Sequence, residues 1–433
     1  MRHAVAALWQ SAWLSMRRGQ PAILPDWILA GGLATVTFYD YFLNRIHGVV
    51  TPLALLLLVI WSNAVLQTHV DRRRAYELIA LGATFQAFAV VFCRYYATIS
   101  NGGAAAALQK LLVIAPASAA IGWMLIRSGR IRQYLSWYLL VAMLTVIPAI
   151  AERGLHRQLL RSGRSYARGG AVRALVGTPQ PLVLATLFVA MIPLAFYLLG
   201  RWRYLGGLWL LAGVFMTGSN GPEGVGVLIF LICAVPFIPR YFMRTAVPLL
   251  VTLFVGGLVL VLGGLYWWSP QVRGSSTMDK SNGYREALYW LLPRLLNSHP
   301  AGYGLAGLPT NTWFFGTNVK IVDVSQSIDS EVVYGAAQFG YFAVAAFVGI
   351  AVLASVAIAR HQSLGLSNLS LTLCGLFTAM HAWNSLSSLW FFGVGACAAL
   401  LLGRQVGEPW EGLSHGKIAA SSRPLADLIP ATG

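Results

Sequence analysis

PLVLATLFVAMIPLAFYLL, residues 181–199, runs for nineteen residues without a charged side chain. At about 1.5 Å of rise per residue such a helix is about 28 Å long, close to the ~30 Å hydrocarbon thickness of a bilayer. The breakers Gly177, Thr178, Pro179 and Gln180 precede it, and Arg201 and Arg203 follow it. An apolar run bounded by a turn on one side and cations on the other reads as a membrane-spanning helix.

The rest of the chain repeats that pattern. Of 433 residues, 57% are hydrophobic and only 10% charged, with mean hydropathy +0.65, whereas soluble domains carry roughly a quarter charged residues. Gly and Pro fall inside apolar runs, which a bilayer tolerates when neighbouring helices satisfy the freed backbone groups. Spans are predicted near 26–45, 49–68, 76–98, 109–127, 134–151 and 181–199. Six more follow near 204–219, 221–238, 245–267, 331–358, 364–384 and 386–403. The predicted fold is therefore all-α, a polytopic membrane protein of about twelve helices.

The net charge of +17 would suggest nucleic acid in a soluble protein, but here most cations fall in short connectors. With the N-terminus inside, Arg72, Arg73 and Arg74, then Arg127, Arg130 and Arg132, then Arg201 and Arg203, then Arg240 and Arg244, then Arg360 all lie on the cytoplasmic side. Arg17, Arg18 and Arg404 agree with them, so the positive-inside rule puts both termini in the cytoplasm of a bacterial inner membrane. Membrane lipids are the implied partners, and nucleic acid is not. Cys93, Cys233, Cys374 and Cys397 lie in apolar stretches without paired spacing, which makes them packing residues rather than a disulfide or zinc framework. The first ~20 residues are basic and amphipathic and lack a cleavable signal pattern. The organisation is a cytoplasmic N-terminus (1–25), helices 1–5 (26–151), a basic periplasmic loop (152–180), helices 6–9 (181–267), a large, partly helical periplasmic loop (268–330), helices 10–12 (331–403) and a cytoplasmic tail (404–433).

The loop 152–180 breaks the charge rule. It carries Arg153, Arg157, Arg161, Arg164, Arg168 and Arg173 against Glu152 alone, and an anionic ligand held outside is the economical reason. The first five recur at three- and four-residue steps, as a solvated or headgroup-binding helix face would; Arg173 stands apart, in a turn re-entering the membrane. In the second loop, Ser281 or Asn282 is placed to cap a helix from Gly283, bent at Pro293 and ended by His299 and Pro300. Gly302-Tyr303-Gly304-Leu305-Ala306-Gly307 satisfies G-x-G-x-x-G by letter, but no strand precedes it. A tight turn or small anion nest is the better reading.

Here the residues resemble a family. Tyr284 and Arg285, Trp290, then His299, Pro300, Ala301, Gly302, Tyr303 and Gly304 are similar to a signature of the O-antigen polymerase and ligase superfamily. Ser327-Ile328-Asp329-Ser330 leading to Gly335, Phe339, Gly340 and Tyr341 is similar to the segment that opens the span after that family's large loop. Arg173 to Pro179 resembles its R-x-x-G…P-N element with Gln180 in place of Asn, and Thr217-Gly218-Ser219-Asn220 resembles its T-G-S-R turn with Asn in place of Arg. The likeness covers about residues 165–350. Asp329-Ser330 stands where ligases carry a His-Asn pair, which is closer to the Wzy-type polymerases.

The resemblance implies a glycosyltransferase that moves a growing glycan from undecaprenyl pyrophosphate to the non-reducing end of a second lipid-linked repeat unit. It implies a flippase and a chain-length regulator as partners, and no cofactor or metal. Arg173 and Arg285 would grip the pyrophosphate, since a guanidinium bonds phosphate oxygens bidentately. Asp329 is the favoured group to orient or deprotonate the acceptor hydroxyl. Arg94, Arg164, Arg168, Tyr284, His299, Gly302, Gly304, Glu331 and His381 are candidate substrate contacts, with snorkelling for Arg94 and hydrogen-bonded packing for His381 as the plainer alternatives. An O-antigen ligase is one rival reading. A twelve-helix transporter or flippase is the other, disfavoured because the two halves show no matching copy of His69-Val70-Asp71-Arg72-Arg73-Arg74 and no six-plus-six repeat.

Overall fold

In the computed structural model the described residues are 26–47, 56, 57, 59, 60, 110–160, 167, 168, 171–234, 277–305, 307–309, 313–316, 321–323 and 328–402. They form helices α1 (Asp26–His47), α2 (Ala115–Arg127, entered through a π turn at Lys110–Ile114), α3 (Ile131–Gly154), α4 (Pro181–Leu198), α5 (Arg203–Thr217) and α6 (Asn220–Ala234). After these come α7 (Thr277–Ser298), α8 (Glu331–Phe339), α9 (Tyr341–Ile358), α10 (Gln362–Cys374) and α11 (Asn384–Leu402).

The stretch at 181 becomes α4, and Pro181 opens it, where a missing N–H costs nothing. Every residue from Pro181 to Ala195 is buried. A helix apolar all round belongs inside a bundle, and α4 is the post against which α3, α5, α6 and α10 pack. By contrast α3 buries one side and leaves Leu140, Leu144 and Ile147 exposed, an outward apolar stripe at helical spacing that suits lipid. Among the described residues, α3, α4, α9 and α11 are long and apolar enough to cross a membrane, and α6 is a shorter apolar helix.

Helices α2 and α11 meet backbone to backbone. A Cβ at Gly122 would overlap the Phe392 carbonyl, and one at Gly395 the Ala119 carbonyl, while Ser118 Oγ donates to Ser388 Oγ across the seam at 3.1 Å. Small residues that admit such contact are the usual means of helix association in a bilayer, where apolar burial alone gives little.

The fold is all-helical in class, as expected, and the stretches read as outer loops add two short antiparallel ladders, Ala167–Arg168 (β1) with Ala171–Val172 (β2) and Phe314–Gly316 (β3) with Ile321–Asp323 (β4). Several finer expectations are corrected. The arginine stripe is not one helix face, because α3 stops at Gly154, His156 turns back at φ +50° and Arg168 lies in β1. The span read as 331–358 is two helices broken at Gly340, and the span read as 364–384 ends as α10 at Cys374. The loop helix begins at Thr277 rather than Gly283 and continues through Pro293 to Ser298.

Candidate functional site

Two clusters of polar residues form, and the chain brings them to one end of the bundle. The first surrounds the turn between α5 and α6. Thr217 ends α5 and Gly218 follows at φ +60°, the left-handed residue that commonly closes a helix. The last carbonyls of α5 lack helical partners, and two arginines supply them. Arg153 Nη1 donates to Met216 O at 3.2 Å and Phe215 O at 3.4 Å. Arg173 Nε donates to Thr217 O and its Nη2 to Ser219 Oγ, both at 2.8 Å. Cations at a helix C-terminus are favoured by its dipole. Arg173 and the 217–220 turn, far apart in sequence, are thus in direct contact.

Glu152 holds the chain that carries these arginines. It is fully buried; its Oε1 accepts from the amides of Leu159 (3.0 Å) and Leu160 (3.4 Å), and its Oε2 from those of Leu175 (2.7 Å) and Val176 (3.0 Å). Thr178 completes the turn, its Oγ1 donating to Leu175 O at 2.6 Å.

The second cluster joins residues 299–305, α8 and the turn 375–383. Buried Glu331 accepts from the backbone amide of His381 at 3.1 Å and bonds His381 Nδ1 through its other oxygen. On the opposite side of the imidazole, Nε2 lies 2.7 Å from Gln338 Oε1. Gln338 Nε2 donates to Leu305 O at 2.9 Å, which fixes the amide so that its oxygen faces the ring. In that orientation His381 Nε2 is the donor to Gln338 Oε1. Tyr334 stacks on the imidazole with centroids 4.8 Å apart.

The glycine turn docks on the end of α8. Gly302 and Gly304 have φ +77° and +83°, as the tight-turn reading requires. Their amides, and that of Tyr303, donate to His299 O, Gln338 O and Ala337 O, at 2.9, 2.9 and 2.7 Å respectively for 302, 304 and 303. With these N–H groups given to protein carbonyls, the turn is a docking device, not an anion nest. His299 is exposed and lies against Tyr303, centroids 4.0 Å apart.

One contact ties the clusters together, and two more brace the second. Gly221, in the first turn of α6, packs directly on the ring of Phe377, in the same turn as His381. Tyr289 of α7 donates to Leu376 O at 2.7 Å and bonds Ser330 Oγ at 3.1 Å. Lys110 donates to Ala382 O, beside His381.

Neither a protein-family model nor a curated protein sequence matches this chain.

The predicted site residues sort accordingly. Gly302, Gly304, Glu331 and His381 form one network, and Arg173 stands at the adjoining turn. Asp329 is half-buried two residues before Glu331, and Ser330, not Asp329, occupies the N-cap position of α8. Arg285 and Tyr284 lie on α7 one turn before Tyr289, and Arg168 in β1, with their side chains outside the described residues; Arg94 and Arg164 lie outside them altogether. Sequence reasoning missed Lys110, Gln338 and the role of Glu152. The last had one signal, a lone acid in a basic connector.

Proposed function

We propose that the chain is a polysaccharide polymerase of the inner membrane, with about twelve spans, both termini cytoplasmic and its reaction at the periplasmic surface. The observation that carries this reading is the meeting, through Gly221 and Phe377, of a basic turn with a polar network built on the glycine turn.

The donor is a growing glycan on undecaprenyl pyrophosphate. Its anomeric C–O bond breaks, the electron pair leaves with the pyrophosphate, and an acceptor hydroxyl from a second lipid-linked unit forms the new bond. Arg173, with Arg285, stabilises the charge that grows on the leaving group, by preorganised electrostatics of the kind that supply the largest share of many rate enhancements. Asp329, at the mouth of α8, takes the hydroxyl proton. Glu331, Gln338 and His381 spend their bonds on one another, so they shape the wall of the acceptor groove, with His299 exposed at its rim. A flippase supplies the lipid-linked units and a chain-length regulator sets the product.

The test is Arg173→Ala with folding verified. The polymerase reading expects single lipid-linked repeat units to accumulate on the periplasmic leaflet while long polymer disappears. Accumulation on the cytoplasmic leaflet would instead mean transport.

A further inference from the structure

Glu152 sits in the last turn of α3, fully buried, and a carboxylate taken out of water is kept only where donors replace its hydration. Those donors are backbone amides from two places: Leu159 and Leu160, just beyond the turn at His156, and Leu175 and Val176, at the connector's far end. One carboxylate thus ties the beginning of the connector to its end. The tie holds an unusual backbone, with Val176 at φ +44° and Gly177 at φ +78°. A β-branched residue at positive φ is an outlier that persists only where its surroundings over-determine it; here its N–H is fixed to Glu152.

Arg153 follows Glu152 directly, and Arg173 lies two residues before Leu175. Both guanidinium groups consequently reach the same turn. The point where a Cβ on Gly218 would stand is 3.3 Å from Arg153 Nη1 and 3.7 Å from Arg173 Nε. Among the described residues Arg153 spends only Nη1, on Phe215 and Met216, although a guanidinium has five N–H donors. Like charges set this close repel, and a polyanion between them would turn that repulsion into attraction. Arg153 leaves Nε and Nη2 for one phosphoryl group, and Arg173, whose Nε and Nη2 hold Thr217 and Ser219, sets its charge beside the linked one. We propose that Glu152 is a positioning residue that holds Arg153 beside Arg173 as a paired-guanidinium site for a lipid-borne diphosphate. The choice of ligand rests on the polymerase reading; the pairing itself does not.

The test is direct binding to the full chain in nanodiscs, using farnesyl diphosphate, farnesyl monophosphate and inorganic pyrophosphate as probes. The wild type should hold the diphosphate lipid more tightly than the monophosphate, and inorganic pyrophosphate should compete for the site. Tight binding of pyrophosphate without any gain from the farnesyl chain would overturn the lipid-borne part. Glu152→Gln keeps the shape but turns an NH2 against amide donors, and it should weaken diphosphate binding at least about tenfold. In an Arg173→Ala background the same change should add nothing further, because both act through one site. Undiminished affinity in Glu152→Gln, or losses that multiply in the double variant, would overturn the proposal. If Glu152→Gln fails to fold, Arg153→Gln reads the same site, with the same loss expected and wild-type affinity as the overturning result. The two proposals fail separately: tight diphosphate binding without chain extension sinks the polymerase, and chain extension by Glu152→Gln at an unchanged donor KM sinks the positioning role.

Discussion

Gly340→Ala perturbs the joint on which the second cluster depends. Gly340 breaks the apolar run between α8 and α9 at φ +59°, ψ −138°, a conformation that costs a residue with a side chain on the order of 1–3 kcal/mol. The new Cβ would also overlap the Pro300 carbonyl oxygen, which accepts from Tyr341 N at 3.0 Å. Relief requires the turn 299–304 to lift from α8, and the bonds Tyr303 N to Ala337 O and Gly304 N to Gln338 O then stretch with it. At about 1 kcal/mol each for such bonds, the total loss is about 3–5 kcal/mol. Gly349→Ala is the matched control on α9, where an added Cβ meets nothing and helix propensity favours alanine by up to about 1 kcal/mol. The assay is denaturant unfolding of the purified protein in mild detergent, both variants beside wild type. Equal stability for Gly340→Ala and Gly349→Ala would refute the docking of this turn and the network behind it.

Other expectations are briefer. Glu331→Ala strands the His381 imidazole and its backbone amide in the interior, and removing one member of a buried pair costs about 3–5 kcal/mol; unfolding of that variant in detergent should show it, and an unchanged midpoint would contradict the network. His361 caps α10, its Nδ1 accepting from Leu364 N at 3.3 Å, and burial holds its imidazole below the ordinary value of 6.5. The unfolded chain therefore takes up the proton first, so stability is complete above about pH 6.5 and declines as pH falls through that value. His361→Asn, which caps without titrating, should flatten that part of the profile.

How much the sequence discloses depends on which atoms do the work. The 181–199 stretch is read correctly to within a residue because burial on every side leaves an unmistakable apolar run. The tight turn at Gly302 and Gly304 is legible too, since only glycine takes positive φ without cost. The break at Gly340 is hidden, because apolar residues continue on both sides and its cause, the Pro300 carbonyl, lies forty positions away. The arginine spacing from 153 to 168 suggests a helix, yet Glu152 captures amides downstream and turns the chain aside. Backbone partners of that kind leave no side-chain pattern to read. The same blindness covers Lys110, whose partner is the Ala382 carbonyl, and Gln338, whose orientation is set by Leu305 O.

Purified protein reconstituted with synthetic undecaprenyl-pyrophosphate-linked repeat units, in excess EDTA, puts the central claim to its most direct test. A ladder of longer lipid-linked glycans should form without added metal and be absent from Arg173→Ala. No extension by the folded wild-type protein, or extension that vanishes in EDTA and returns with a divalent ion, would contradict that claim.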